Sequence, residues 1–499
     1  MRHALRVLSL LLLPSLAAAQ STGSVQRAVQ SITPDDIRRR IGIIADDSMR
    51  GRDTPSPELE EVAAYIASEF RRFGLKPGGD NGTFMQRYGI DRVRVVADSS
   101  VAMIHGGGDT TLTYGKSFVF LDNNFESGDY AGDLVLLTGS FDGPTQIDTA
   151  ALAGKMLVIS GRARNRARGQ RLLSWRPAGI VVVLPIADSL WSRVAEQYTQ
   201  SQMRDPARPV GRTVFLGVRL ATVGPRLTSL GADVDALLQG AGPLRARPLA
   251  AQLHVHARIR VTDHASAPNV VGILEGSDPR LKSEYVVLSA HMDHVGVGRP
   301  VNGDSIYNGA DDDASGTIAV VEAAEAFAQL QPRPKRSIIF LTVSGEEKGL
   351  WGSAYFADHS PVPVADIVAN LNTDMVGRNW KDTIVVIGKE HSDLGATLNR
   401  VGAAHPELRM QPIDDLWPQE NFYGRSDHYN FARKGVPILF FFNGTHADYH
   451  RPSDSVDKID AEKESRIVKL VFYLGLDVAN AADRPKWKAD SYSRIVTGN

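Results

Sequence analysis

The 499-residue sequence predicts an α/β protein, a mostly parallel mixed sheet flanked by helices with a β-rich segment inserted into it. Three observations carry that expectation. After about Gly240, continuous apolar runs at Tyr285 to Leu288, Ile338 to Val343, Ile367 to Leu371 and Ile438 to Phe442 read as strands buried on both faces. Between the first two lies an Ala-rich stretch, Ser315 to Leu330, whose Val320, Val321, Ala324, Phe327 and Ala328 give it a buried helical face. From about Arg92 to Gly240 the texture is different. Short β-rich runs there, such as Leu134 to Leu137, Met156 to Ile159 and Ile180 to Leu184, are punctuated by Gly, Pro and Asp.

The N-terminus reads as an export signal. Arg2, His3 and Arg6 precede the apolar run Leu8 to Leu16 and the small residues Ala17, Ala18 and Ala19, after which cleavage is expected. That run is too short to span a bilayer, and no Cys follows it to take a lipid, so no membrane anchor is expected after cleavage. Two amphipathic helices come next. Thr33 caps one that begins at Pro34 and carries Ile37, Ile41 and Ile44. Ser56 and Pro57 open the other, with Leu59, Val62, Ile66, Phe70 and Phe73 on one face until Gly74. Nothing on these two helices looks chemical. The expected organisation is a signal at 1–19, an N-terminal helical part at 20–95, an inserted domain at 96–245 and a catalytic domain at 246–499.

Composition excludes several classes. With 43% hydrophobic and 23% charged residues the chain is an ordinary globular protein. Lys plus Arg is 56 against Asp plus Glu 57, so no basic surplus marks a nucleic-acid partner. The Arg162, Arg164, Arg166, Arg168 and Arg171 run reads as a solvated loop rather than an anion site. There is no Cys, which removes thiol nucleophiles, disulfides and Cys-ligated metals; any metal must sit on His, Asp and Glu.

Those residue types gather where strands end. Tyr285 to Ala290 runs into His291-Met292-Asp293-His294, Ile338 to Ser344 into Gly345-Glu346-Glu347, and Ile367 to Asn372 into Thr373-Asp374. The loop after Ile438 to Phe442 holds His446 and Asp448-Tyr449-His450, and Asp311-Asp312-Asp313 stands just before the Ala-rich helix. Ligands of parallel sheets bind beyond the carboxyl ends of the strands. Carboxylates crowded at one such edge need a cation to hold them, and imidazole with carboxylate suits zinc. The ligands outnumber the needs of one tetrahedral ion, so two metals sharing a bridging carboxylate are expected. The H-E-x-x-H and G-x-S-x-G signatures are absent, and Ser426-Asp427-His428 are too close in sequence to converge as a triad.

The motifs His291-Met292-Asp293, Gly309 to Gly316, Gly345 to Ser353, Asn372-Thr373-Asp374 and Tyr449 to Asp454 together resemble the secreted co-catalytic di-zinc aminopeptidases, related to glutamate carboxypeptidase and to the transferrin receptor. The resemblance covers about 245 to 480. The segment around Gly154 to Val158 and Ala178 to Val181 is similar to the protease-associated domain inserted in such enzymes. The resemblance implies a zinc exopeptidase fold with two Zn2+ ions per chain, His291 and Asp374 on one, Glu347 and His450 on the other, and Asp312 between them. It implies that Asp293 orients the His291 ring and that Glu346 is the general base for attack by a metal-bridged hydroxide. It also implies that Tyr449 steadies the oxyanion.

The function expected is an exported aminopeptidase, periplasmic or secreted, acting on peptides with a free N-terminus. A glutamate-type carboxypeptidase would need Arg425, Arg378 or Arg451 in the pocket. A glutaminyl cyclase uses one zinc, and a receptor-like binding protein would have lost ligands. His294, His428 and His446 lie outside the matched set, and the loop with Asp414, Asp415, Trp417, Glu420 and Phe422 is a candidate substrate wall.

Overall fold

The computed structural model describes residues 23–141, 147–161, 166–208 and 210–498, so the expected signal at 1–19 lies outside the described residues. The chain divides into two units, one made of the residues up to Tyr88 together with Ser266 onward, the other of Gly89–Ala265.

In the first unit the capped starts form as the side chains dictate. Helix α1, Pro34–Ile44, has the Thr33 hydroxyl accepting from the Asp36 amide, and helix α2, Pro57–Arg72, has Ser56 accepting from the Leu59 amide. Their buried stripes, Ile37, Ile41 and Ile44 on one and Leu59, Val62, Ile66 and Phe70 on the other, cover the central helix α3, Gly316–Ala328. That helix is buried on nearly every side, which its Ala-rich composition permits. Its two acids, Glu322 and Glu325, accept from the buried Arg40 guanidinium of α1, which also donates to Glu69 at 3.0 Å.

The main strands of the sheet that starts in this unit are, in chain order, β1 (Met85–Val95) and β2 (Ile259–Leu274), which both continue past the unit's limits, then β3 (Tyr285–His291), β4 (Ser337–Val343), β5 (Ile367–Thr373), β6 (Thr383–Ile387), β7 (Gln411–Ile413) and β8 (Ile438–Phe441). The spatial order is β7-β6-β8-β5-β3-β4-β2-β1. The centre, β8-β5-β3-β4, is parallel. β2 and β6 join it antiparallel, so the sheet is mixed. The apolar runs expected as strands are all strands, with β3 and β5 extending two to three residues further, to His291 and Thr373. Helix α4, Trp351–Asp358, and helix α5, Leu394–Ala404, follow β4 and β6, α6 (His428–Ala432) precedes β8, and α7 (Ala461–Asn480) packs along α3.

The second unit is built on eight strands whose centre, 128–138, 156–160, 179–184 and 214–219, is parallel, with 245–257 pairing antiparallel between 128–138 and 101–105. Its limits are wider than the expected 96–245 because the strand 245–257 belongs to its sheet. The β-rich texture also concealed helices Arg166–Ser174, Asp188–Thr199, Leu220–Ser229 and Val234–Gln239. Of the arginine run, Arg162 and Arg164 lie outside the described residues, and Arg166 onward is helical, not loop. Among the described residues no helix is long and apolar enough to cross a membrane.

Candidate metal centre

The carboxyl ends of β3, β4 and β5 and the loop after β8 converge with the turn that precedes α3. That turn, residues 310–315, is pinned by its own neighbours. The Asp454 carboxylate accepts from the backbone amides of Asp311 and Asp312. Asp313 accepts from the amides of His291, Gly316 and Met375, at 3.1, 2.9 and 3.0 Å. Gly316 is obligatory here, since a Cβ would lie 2.4 Å from the Thr373 carbonyl oxygen and 2.3 Å from Asp313.

These bonds sort the three consecutive aspartates. Asp311 turns one oxygen to the Gly377 amide and the other toward His446, 3.2 Å away, while Asp313 is committed to backbone amides. Asp312 alone faces imidazoles on both sides. Its Oδ1 is 3.4 Å from His291 Nε2 and its Oδ2 is 3.1 Å from His450 Nε2. Asp313 Oδ2 also comes within 4.0 Å of His291 Nε2, but its engagement with three amides makes it an anchor.

The remaining expected residues assemble around Asp312. Asp374 Oδ1 is 3.8 Å from His291 Nε2, and Glu347 Oε1 is 3.2 Å from His450 Nε2. His450 sits at φ 52, a left-handed backbone that swings its ring inward from the loop. Tyr449 stacks on that ring at 4.0 Å between centroids. A cavity of about 50 Å³ is lined by His291, Asp312, Glu346, Asp374 and Tyr449 on its polar side, and by Met375, Phe422, Phe440 and Phe442 on its apolar side.

The donor set fits a bound cation. His450 Nε2, Asp312 Oδ2 and Glu347 Oε1 are buried, and although they lie close together none is aligned to hydrogen-bond another. Donor atoms that crowd without pairing point at a common centre, which is how metal ligands are arranged and how hydrogen-bonded side chains are not. Without a cation, burial alone would lower the His450 pKa, yet the Asp312 and Glu347 carboxylates push it up to about 10. Burial drives the Glu346 carboxyl well above its ordinary range.

Asp293 meets both the His291 ring and the Glu346 loop. His291 Nδ1 lies 3.2 Å from the backbone carbonyl oxygen of Asp293 and 3.7 Å from its carboxylate. The carbonyl can only accept, so it fixes Nδ1 as the protonated nitrogen. The Asp293 carboxylate also accepts from Thr54 Oγ1 at 2.8 Å and from the Glu346 amide at 3.3 Å, so it braces the Glu346 loop as well. Thr54 in turn accepts from the Gly345 amide at 3.0 Å.

The segment between α1 and α2 contributes more than expected. Arg52, fully buried, donates to the carbonyls of Met292, Asn308, Gly309 and Asp312, tying the loop after β3 to the turn before α3. Ser426 is not a nucleophile; its hydroxyl donates to Asp374 Oδ2 at 2.9 Å and continues a buried chain through Asn372 and Ser289. His428 bonds the Tyr423 carbonyl and stacks on Phe440. His446 faces Asp311. Of the candidate wall, Phe422 reaches the cavity with Trp417 packed against it, while Asp414 pairs with Lys389. Arg425 lines the cavity, Arg378 is held by Asp448, and Arg451 is exposed.

Residues 269–475, the stretch that carries this sheet-edge cluster, match the model of Peptidase family M28. Among similar proteins, a "Probable leucine aminopeptidase" of Arthroderma otae is 28% identical over 222 residues, covering 43% of this chain and 58% of that protein. A "Probable zinc metalloprotease" of Pyrenophora tritici-repentis is 38% identical over 269 residues, 46% of this chain and 54% of that one. "Aminopeptidase YwaD" of Bacillus subtilis is 25% identical over 246 residues, 48% of this chain and 50% of its own. The chain thus spans between half and three-fifths of these three relatives. The solved aminopeptidase from Aneurinibacillus sp. strain AM-1 shares the fold, with a TM-score of 0.52 at 18% identity over 93% of this chain and 97% of that one.

Proposed function

We propose that the protein is an exported aminopeptidase that holds two zinc ions and removes N-terminal residues from peptides. One observation supports this above the others: the Asp312 carboxylate turns one oxygen to His291 and the other to His450, beside a cavity that Glu346 lines. His291 and Asp374 would hold one ion, Glu347 and His450 the other, and Asp312 both. When bound, the ions supply Lewis-acid activation of a water and of the scissile carbonyl.

The chain's own groups do the rest. Glu346 takes a proton from the attacking water at its carboxylate and returns it to the leaving amine. Burial raises its proton affinity, which the charge of bound cations would draw back down. The Tyr449 hydroxyl donates to the developing oxyanion. Met375, Phe422, Phe440 and Phe442 exclude water and receive an apolar N-terminal side chain, and the carboxylates at the polar wall suit an α-ammonium. The relatives named aminopeptidases agree with this reading. The leader at 1–19 supports export to the periplasm or the medium, and the expected inserted segment 96–245, which lies within the second unit, is read as a protease-associated domain.

Arg425 supports a second reading, since a cavity guanidinium could grip a substrate carboxylate as in a glutamate-type carboxypeptidase. Hydrolysis of aminoacyl, N-blocked and C-terminal-glutamate peptides separates the two. The aminopeptidase needs a free α-amine, loses activity with chelator and regains it with zinc; equal rates on blocked peptides overturn it. Glu346→Gln should lower kcat by about 10²–10⁴-fold while metal content stays unchanged.

A further inference from the structure

His294 belongs to none of the motifs that identify the five ligands, yet it is fully buried among them. Neither of its ring nitrogens has a hydrogen-bond partner, a costly state for a buried imidazole. Its Nδ1 stands 3.0 Å from Glu347 Oε1 and 3.7 Å from Asp312 Oδ2, and its ring meets that of His450 edge-on at 5.4 Å. Room for the ring is made by Gly309, in a left-handed conformation, where a Cβ would come within 2.5 Å of His294 Cγ.

The spacing of the four donors is informative. Zinc bonds of about 2.0–2.1 Å in tetrahedral geometry place neighbouring donors about 3.3–3.4 Å apart. The separations to Glu347 and Asp312 are 3.0 and 3.7 Å from His294 and 3.2 and 3.1 Å from His450. Hydrogen bonding would account for such distances, but the same atoms are not aligned for it.

We propose that His294 is a sixth metal ligand, so that the two metal positions are unequal. This rests on the two-metal reading above. The position of His294, His450, Glu347 and Asp312 has four protein donors and is closed. The position of His291, Asp374 and Asp312 has three and keeps one place open, the arrangement that distinguishes catalytic from structural zinc. The closed position therefore binds tightly and holds the Asp312 bridge in place, and the open one exchanges more readily.

The chain's lack of cysteine provides a direct test. Purified full-length protein, His294→Ala and His294→Cys are stripped with chelator, checked for folding by circular dichroism, and titrated with Zn2+ and Co2+. The wild type should take up two ions in two separable steps. His294→Ala should weaken the tighter step by at least about 10–100-fold, since even groups that only support a ligand cost that much. Cobalt-loaded His294→Cys should show a thiolate-to-cobalt charge-transfer band, which no other residue of the chain can produce. Unchanged affinities in His294→Ala, or two bound cobalt ions in His294→Cys without that band, overturn the proposal. If His294→Ala fails to fold, the His294→Cys spectrum alone decides. A wild type that binds no metal overturns the two-metal reading itself, a distinct outcome.

Discussion

At the scale of single residues, the centre depends on side chains that touch no substrate. Arg52 donates to carbonyls of the loop after β3 and of the turn before α3, both of which have left regular structure, and so ties the two together. Thr54 joins the Asp293 carboxylate to the Gly345 amide and so sets the position of Glu346. Thr54→Val keeps the volume and removes both hydrogen bonds. It should lower kcat/KM by about 10–100-fold with little change in thermal stability, measured by steady-state kinetics and differential scanning fluorimetry. The positions of Asp293, Asp312 and Glu346 were legible from motif letters. Thr54, Arg52 and Ser426 were not, because each reaches the centre from a distant part of the chain and is marked locally by nothing but ordinary loop or turn chemistry.

At the scale of elements, two buried or half-buried ion clusters hold the sheet and helices in register. Arg40 on α1 meets Glu322 and Glu325 on α3 and Glu69 on α2. Arg40→Met leaves Glu322 buried without a partner, so a loss of about 3–5 kcal/mol in urea unfolding is expected. At the opposite end of the strands from the metal centre, Glu284 before β3 binds Arg336 before β4 at 2.6 Å and Arg484 at 2.9 Å. Burial would raise the Glu284 pKa, but the two guanidinium groups outweigh it and hold it below its ordinary value. A lowered carboxylate pKa stabilises the fold above the unfolded value and loses that contribution as pH falls through the folded one. The stability gap between wild type and Glu284→Gln should therefore be full at neutral pH and shrink below about pH 4.3. Denaturant midpoints measured across that range check it. The strands themselves were readable as apolar runs, whereas the helices of the second unit were hidden because Gly, Pro and Arg within 160–240 mask their periodicity.

At the scale of the whole molecule, the metal centre is also a structural joint, since it gathers the ends of three parallel strands and two loops. If the centre holds ions as proposed, stripping them leaves Asp312, Glu347 and Asp374 crowded together with only the neighbouring histidines to offset their charge. Binding of a ligand only by the folded state raises stability by mass action. Chelation should therefore lower the melting temperature by about 5 °C or more, and added zinc should restore it. Calorimetry with and without chelator checks it, and an unchanged transition would mean that the cluster holds no tightly bound ion.

The sequence by itself determined the α/β class, the strands that end at the metal centre, and the residues that assemble there, because burial on both faces and ligand chemistry each leave a local mark. Only the tertiary structure decided how Asp311 and Asp313 are engaged on either side of Asp312, that the Asp293 carboxylate also braces the Glu346 loop, and that His294 joins the cluster. Those outcomes depend on which backbone amides and carbonyls compete for each side chain, and that competition exists only once distant segments meet.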